Sequence, residues 1–516
     1  MIKKLDNIDY YFITSSKLII IYIKELYYNM IDFMKKHRLS MIILLFFIFY
    51  CINYYLFSVK FCMISFPRMS RFFGADAWRV FEDMTNLFGN HYRISVHPLF
   101  MIIIFPFVSV LKGLYVNPTL TIMILISFIS TLNCYLFYKI LQKLFHKDNM
   151  AILGMVLFSI CSSQLVFSAI PETFIFSLTI FLVSFLFFIH LLQIKKLVFK
   201  DYLMIIVLGV LSIAFTITNI VLYFSGIMIV FLFRKDKNTI MSWIFSVIII
   251  ICISTFLFWI QSHIFPNTPG IMNFIQDNFS SGEEMKYMNF SFSIDKIWKT
   301  FQNFFSYSLL LGSIGIKNDN LYSINYSSSI IVIALSLIIW LYGIIKRIIN
   351  KSFCDFIKKP TVIILMSMLF ENICLHFVYG YNEQFLYSQH YSWIVLLLLF
   401  ELYHNLNINK KTIIGFVVLF VFNNIAKYIN IVYLAYLMNG GIIIGKREII
   451  ILTLIIILTV IAFIIIIITK ISTKKLLYII PILYLISILG IYYTKYGMDS
   501  YYGDLNIHPF TYKMIE

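Results

Sequence analysis

GADAWRVFEDMTNLFGNHYRISVHPLF, residues 74–100, gathers Asp, Glu, Arg and His residues just after a first apolar run and ends on His97-Pro98 as a new apolar helix opens. Elsewhere the chain alternates membrane-length apolar runs with short basic connectors. Ionisable groups are costly near hydrocarbon, so a concentration of them at a bilayer surface is where chemistry is expected.

Composition fixes the class around that segment. Of 516 residues, 61% are hydrophobic and 13% charged, and the mean hydropathy is +0.88. So little polar surface excludes a soluble globular domain and implies a polytopic membrane protein. The net charge of +17 is spread over short clusters between apolar runs. Nucleic-acid binding needs a contiguous basic face, so nucleic acid is excluded as a partner and membrane lipids are expected in its place. The 7 cysteines are odd in number and form no CxxC pair. That argues against a disulfide framework or a zinc site. No cofactor is expected, and dependence on a divalent metal is left open. Residues 1–40 lack the pattern of a cleavable signal peptide; Tyr10 to Lys36 is expected to lie on the cytoplasmic leaflet as an amphipathic helix.

A spanning helix needs roughly 20 mostly apolar residues. Runs near 41–59, 119–140, 150–169, 173–194, 202–217, 219–233, 240–264, 328–345, 361–379, 390–404, 412–437, 449–469 and 477–494 give about 13 transmembrane helices on that criterion. The fold expected is an all-α polytopic membrane domain over 41–494 with an extracytoplasmic face built from loops. With the N-terminus inside, every second connector is basic: Lys139/Lys143/Lys147, Lys195/Lys196/Lys200, Arg234/Lys235/Lys237, Lys346/Arg347/Lys351/Lys358/Lys359, Lys410/Lys411 and Lys470/Lys474/Lys475. This is the pattern of a multi-pass protein of the cell membrane obeying the positive-inside rule. It requires that His97 to Tyr115, interrupted by Pro106, stay on the outer side as a re-entrant or interfacial helix. The outer side then holds a first loop at 60–118, a long loop at 265–327, the Gly380–Gln389 loop and a tail at 495–516. Within the long loop, NFIQDNF and SIDKIWKTFQNFFSYSLL read as amphipathic helices resting on the outer leaflet.

Candidate chemistry lies on that side. Asp76, Arg79 and Asp83 share one helical face at i, i+3 and i+7. Two roles fit Asp76: a general base, which requires an ionised carboxylate within hydrogen-bond reach of a hydroxyl, or a helix N-cap. Arg93, His97 and Lys112 suit a lipid phosphate, or equally headgroup anchoring. Glu172, after Pro171, occupies an outer turn. YGYNEQFLYSQHYSW brings Glu383, Gln384, Tyr387, Gln389 and His390 to the start of a span, a polar and aromatic mixture that fits a sugar ring; an interfacial aromatic belt explains the tyrosines equally well. Asn219, Asn423, Asn424 and Lys427 are polar groups in or near spans. No phosphate-binding GxxxxGK[ST] loop occurs, which argues against ATP-driven work.

Taken in order, these features resemble the multi-spanning GT-C glycosyltransferases, especially the bacterial protein-mannosyltransferase and aminoarabinose-transferase type. The resemblance rests on Asp76 within GADAWRVFEDM, on His97-Pro98-Leu99 within RISVHPLF and on the spans that follow to about residue 240. The chain departs from the pattern in having Ala77 where a second acidic residue is usual and His-Pro-Leu in place of a double proline, so the donor and subfamily stay open. The resemblance implies transfer of a sugar from a polyprenyl-phosphate donor to a glycan, lipid or protein acceptor. Asp76 would be the base, with Arg79, Arg93 or His97 balancing the phosphate and Glu172, Glu383, Gln384 and His390 holding substrate. Two other classes compete: a polyprenyl-linked polysaccharide polymerase or ligase, against which the 265–327 loop lacks arginine, and a lipid or solute transporter, against which no inverted repeat is found.

Overall fold

A computed structural model describes residues 37–61, 72–89, 96–113, 117–234, 239–268, 288–312, 314–317, 320–323 and 330–438. The N-terminal segment, the NFIQDNF stretch, the 449–469 and 477–494 runs, the 495–516 tail, Arg71, His91 and Arg93 lie outside the described residues. The described chain is helical apart from a small hairpin, β1 (Ile314–Lys317) and β2 (Asn320–Ser323), paired antiparallel.

Among the described residues, 7 helices are long and apolar enough to cross a membrane: Arg38–Val59, Pro118–Phe145, Phe174–Gln193, Ile240–Ile264, Val332–Ile349, Pro360–Val378 and Lys411–Ala435. The chain is an all-α membrane protein, but this corrects the count of about 13. The reason lies in where helices stop. The 150–169 run breaks into Asp148–Ser159 and Ser162–Phe167. The 202–217, 219–233 and 390–404 runs become helices of 17, 16 and 16 residues, near or under the usual minimum for a span. Phe100–Gly113, with Pro106 inside, has 14 residues, about 21 Å at 1.5 Å per residue and short of a hydrocarbon core.

We label the helices α1 (Arg38–Tyr54), α2 (Ala77–Thr85), α3 (Phe100–Gly113), α4 (Pro118–Phe145), α5 (Asp148–Ser159), α6 (Ser162–Phe167), α7 (Phe174–Gln193), α8 (Phe199–Phe215), α9 (Asn219–Arg234), α10 (Thr239–Ile264), α11 (Ile294–Gln302), α12 (Ile330–Ile349), α13 (Phe353–Ile357), α14 (Pro360–Val378), α15 (Ser388–Tyr403) and α16 (Lys410–Met438). Of the helices long enough to span, α7 is the most enclosed, and the shorter α15 is buried continuously from Ser388 to Leu398. Helix α10 is the opposite: Ile240, Phe245, Ile248, Ile251, Phe256 and Trp259 are exposed along it. In water such a face would be an aggregation hazard, whereas in lipid it is the expected surface.

The two ends of the bundle differ. At one end arginines close helix C-termini, whose last carbonyls have no partner within the helix. Arg234 donates to the Leu191 and Ile194 carbonyls at 2.5 and 2.6 Å, and Arg347 donates to those of Leu402, Glu401 and His404 at 2.9, 2.9 and 2.6 Å. Lys359 pairs with the buried Glu401 at 2.8 Å. All of these cations come from connectors read as basic in the sequence. The opposite ends of α7, α14 and α15 carry the acidic and histidine-bearing connectors.

At that opposite end, side-chain amides satisfy backbone groups freed by helix breaks. Asn424 of α16, fully buried, accepts from Leu311 N at 2.9 Å and donates to the carbonyls of Ile160 and Leu309 at 2.8 and 2.7 Å. Asn53 of α1 donates to Leu165 O at 2.9 Å and to Ser168 Oγ at 2.8 Å, and accepts from Tyr428 at 2.6 Å. The segment SIDKIWKTFQNFFSYSLL therefore does not rest wholly on a leaflet. Ile294–Gln302 is an amphipathic helix, but a π turn follows at Asn303–Tyr307, and Phe304 and Leu309 to Leu311 are buried in the bundle. They bury there because Asn424 supplies the partners that their backbone needs.

Asn424→Leu orphans buried backbone groups at two breaks. A loss of roughly 3 kcal/mol is expected, read as a lower thermal midpoint in detergent, with Asn423→Leu, which removes a 3.1 Å bond to Leu311 O and a 3.0 Å bond to Asn424 Oδ1, costing less.

Candidate functional site

A cavity of about 410 Å³ opens where the connectors at 74–79, 96–97, 172–174, 216–218 and 375–390 meet. Asp76, Arg79, His97, Glu172, Glu383 and His390 all line it, together with His376, Tyr387 and Thr216. Residues scattered over more than 300 positions of sequence thus share one chamber.

Helix α2 is held to the bundle by its apolar face. Val80 and Met84, fully buried, join Phe100, Ile104, Ile122, Ile175 and Phe215 in one core. That packing leaves Asp76 and Arg79 at the cavity, with Asp83 on the same helical face as their spacing predicts. Arg79 donates to Asp83 at 3.0 Å and lies 3.4 Å from Asp76. Asp76 occupies the N-cap position, yet its side chain makes no capping hydrogen bond. Of the two roles read from sequence, capping is therefore not the one its carboxylate performs. The preceding turn carries positive φ at Phe73 (56°) and Gly74 (77°), a conformation that glycine adopts without strain and phenylalanine does not. The Glu383 carboxyl lies 3.9 Å from where a Cβ on Gly74 would stand.

His97 is fixed from three sides. Leu99 N donates to Ala214 O at 3.2 Å and Ile217 N to Val96 O at 2.9 Å; Gln261 donates to Pro98 O at 2.7 Å and accepts from Ile102 N at 3.0 Å. Its Nδ1 lies 2.5 Å from Phe215 O and therefore carries the hydrogen, leaving Nε2 as an acceptor 3.4 Å from the Thr173 hydroxyl.

Glu172 is buried and accepts from Thr173 N at 2.8 Å and from the Thr173 hydroxyl at 3.0 Å. Burial pushes its carboxyl up from an ordinary 4.5 to about 7; the Arg79 charge opposes the rise, Asp76 adds to it, and the Thr173 donors oppose it.

Two candidates change standing. Gln384 lies behind the cavity wall, donating to Thr300 Oγ1 and His376 O at 2.9 Å each and accepting from Asn303 at 2.9 Å. It ties the 380–389 loop to its neighbours and is not among the residues lining the cavity. Lys112 donates to Thr85 O at 2.8 Å, closing the C-terminus of α2. His376 was not singled out in the sequence. The available signal was an ionisable residue inside the apolar FENICLHFV, which marks functional positions in membranes.

No group of three or more His, Cys, Asp or Glu residues able to hold a metal ion occurs among the described residues. No protein-family model, curated protein or solved structure matches the chain.

The raised Glu172 pKa has a stability consequence. Between pH 4.5 and about 7 the folded state binds more protons than the unfolded chain, so this contribution is full below that window and is lost as pH rises through about 7. Glu172→Gln should be relatively more stable at pH 8 than at pH 5, by on the order of 3 kcal/mol at most. Thermal unfolding of both proteins across that range reads the difference.

Proposed function

We propose that the protein is a membrane glycosyltransferase of GT-C type, moving a sugar from a polyprenyl-phosphate donor to a glycan, lipid or protein acceptor on the extracytoplasmic face. The observation that carries this reading is the convergence of Asp76, Arg79, His97, Glu172, Glu383 and His390 on one cavity, all from connectors that the basic-loop pattern assigns to the outside of the cell membrane. The N-terminus is then cytoplasmic.

In this reading Asp76 is the base. It accepts the hydrogen of the acceptor hydroxyl as that oxygen attacks the anomeric carbon. The bond from that carbon to the phosphate oxygen breaks on the opposite side, so configuration inverts and polyprenyl phosphate leaves. Arg79 balances the charge growing on the phosphate, an effect that is largest where water is excluded. Arg79 is itself held by Asp83 at 3.0 Å, which fixes its direction before substrate arrives. His97 offers Nε2 as an acceptor, and Glu383 and His390 line the chamber in which the sugar lies.

Sugar transfer from labelled polyprenyl-phosphate sugars by purified protein in lipid tests the proposal. Asp76→Asn should cut the release of polyprenyl phosphate by at least roughly 100-fold, with its thermal midpoint kept. Full activity in that variant moves the base elsewhere, Glu383 being next. Absence of turnover with every donor from folded protein favours the transporter.

A further inference from the structure

His376 of α14 and His390 of α15 are 2% and 1% exposed. Both line the cavity; both nitrogens of His390 lack a hydrogen-bond partner, and those of His376 make no hydrogen bond of full geometry, with the Tyr379 backbone beside the ring. Leaving a buried polar atom unpaired is costly, so unpaired nitrogens on two rings that line one chamber mark groups kept for a ligand. The rings are held by packing. His376 stacks on Tyr387 at 4.3 Å and 15°, His390 meets Phe174 edge-on at 4.9 Å, and the two imidazole centres are 6.3 Å apart.

The chemistry of the pair selects its partner. No described carboxylate is hydrogen-bonded to either ring, and an uncharged imidazole presents one donor and one acceptor. An ammonium group only donates and a phosphate dianion only accepts, so each would leave one nitrogen of each ring unmatched. A hydroxyl does both. Adjacent hydroxyls on one ring satisfy two such imidazoles together, while the faces of Tyr387 and Phe174 cover the ring's C–H surface.

We propose that His376 and His390 form a subsite for an uncharged polyhydroxylated ring, a neutral hexose or N-acetylhexosamine, and discriminate against amino sugars. This deepens the glycosyltransferase reading by naming the class of sugar, and it rests on that reading only for the sugar's being the transferred group.

The test is ligand protection of imidazoles from diethyl pyrocarbonate, mapped by mass spectrometry on the full-length protein in lipid nanodiscs. The probes are the methyl glycosides of mannose, glucose and N-acetylglucosamine, together with glucosamine and inorganic phosphate. Saturation-transfer NMR measures affinity for the same probes. At least one neutral glycoside is expected to protect both His376 and His390, while glucosamine and phosphate do not. His376→Phe and His390→Phe, which keep the ring and remove its nitrogens, should each weaken glycoside binding at least tenfold. His390→Gln, which retains a donor and an acceptor, should recover part of that loss. If the Phe variants do not fold, wild-type protection and the Gln variant still decide. Unchanged binding in the Phe variants, preferential protection by glucosamine or phosphate, or protection by no probe would each overturn the subsite. The two readings fail separately. Histidine-dependent glycoside binding without any release of polyprenyl phosphate sinks the transferase and keeps the subsite. Transfer whose sugar preference survives both Phe variants does the reverse.

Discussion

Inside hydrocarbon no water is present to complete a hydrogen bond, so every backbone group released by a helix break must be met by the protein itself. In this chain that constraint is concentrated at one end of the bundle. Breaks at Ile160–Cys161 and at Asn303–Gly312 are closed by Asn424, and the break at Phe215–Thr218 is closed by the 96–99 segment. Each closure joins elements far apart in sequence. The result is a set of connectors hydrogen-bonded to distant elements, with the cavity between them.

Two glycines shape the rim of that cavity. Gly380 has φ of +62°, and a Cβ there would meet the Tyr387 ring at 2.6 Å. Gly74 has φ of +77°, with Glu383 close above it. In both places the side chain that approaches belongs to the cavity wall. Gly380 lets the 380–387 connector fold back against its own Tyr387, whereas at Gly74 the positive φ, more than crowding, favours glycine.

Much of this organisation is legible in the sequence because the membrane penalises ionisable residues. Asp76, Arg79, His97, Glu172, Glu383 and His390 stand out against an apolar background, and the alternation of basic connectors sorts them to one side. What the pattern leaves out follows from its reach. Hydropathy measures how apolar a run is, not whether its backbone stays helical, so the break within 150–169 and the short α8, α9 and α15 are hidden from it. The burial of Phe304 and Leu309–Leu311 depends on Asn424, more than a hundred residues away. Gln384 and Glu383 are neighbours of similar polarity, and only the packing of α11 separates the residue that faces protein from the one that faces the cavity. His376 sits in an apolar run where a single histidine changes the average little.

The Thr173 hydroxyl stands between Glu172 and His97 with one hydrogen to give. It is 3.0 Å from the Glu172 oxygen and 3.4 Å from His97 Nε2, and it cannot serve both. An ionised Glu172 draws that hydrogen away from Nε2. A protonated Glu172 relinquishes it, and the hydroxyl can turn to the imidazole. Burial raises the Glu172 carboxyl to about 7, so its protonation state, and with it the acceptor the hydroxyl serves, responds to charge in the cavity. The turn ahead of α7 thus couples a buried acid to a ring on another segment of chain, through a single rotatable O–H bond.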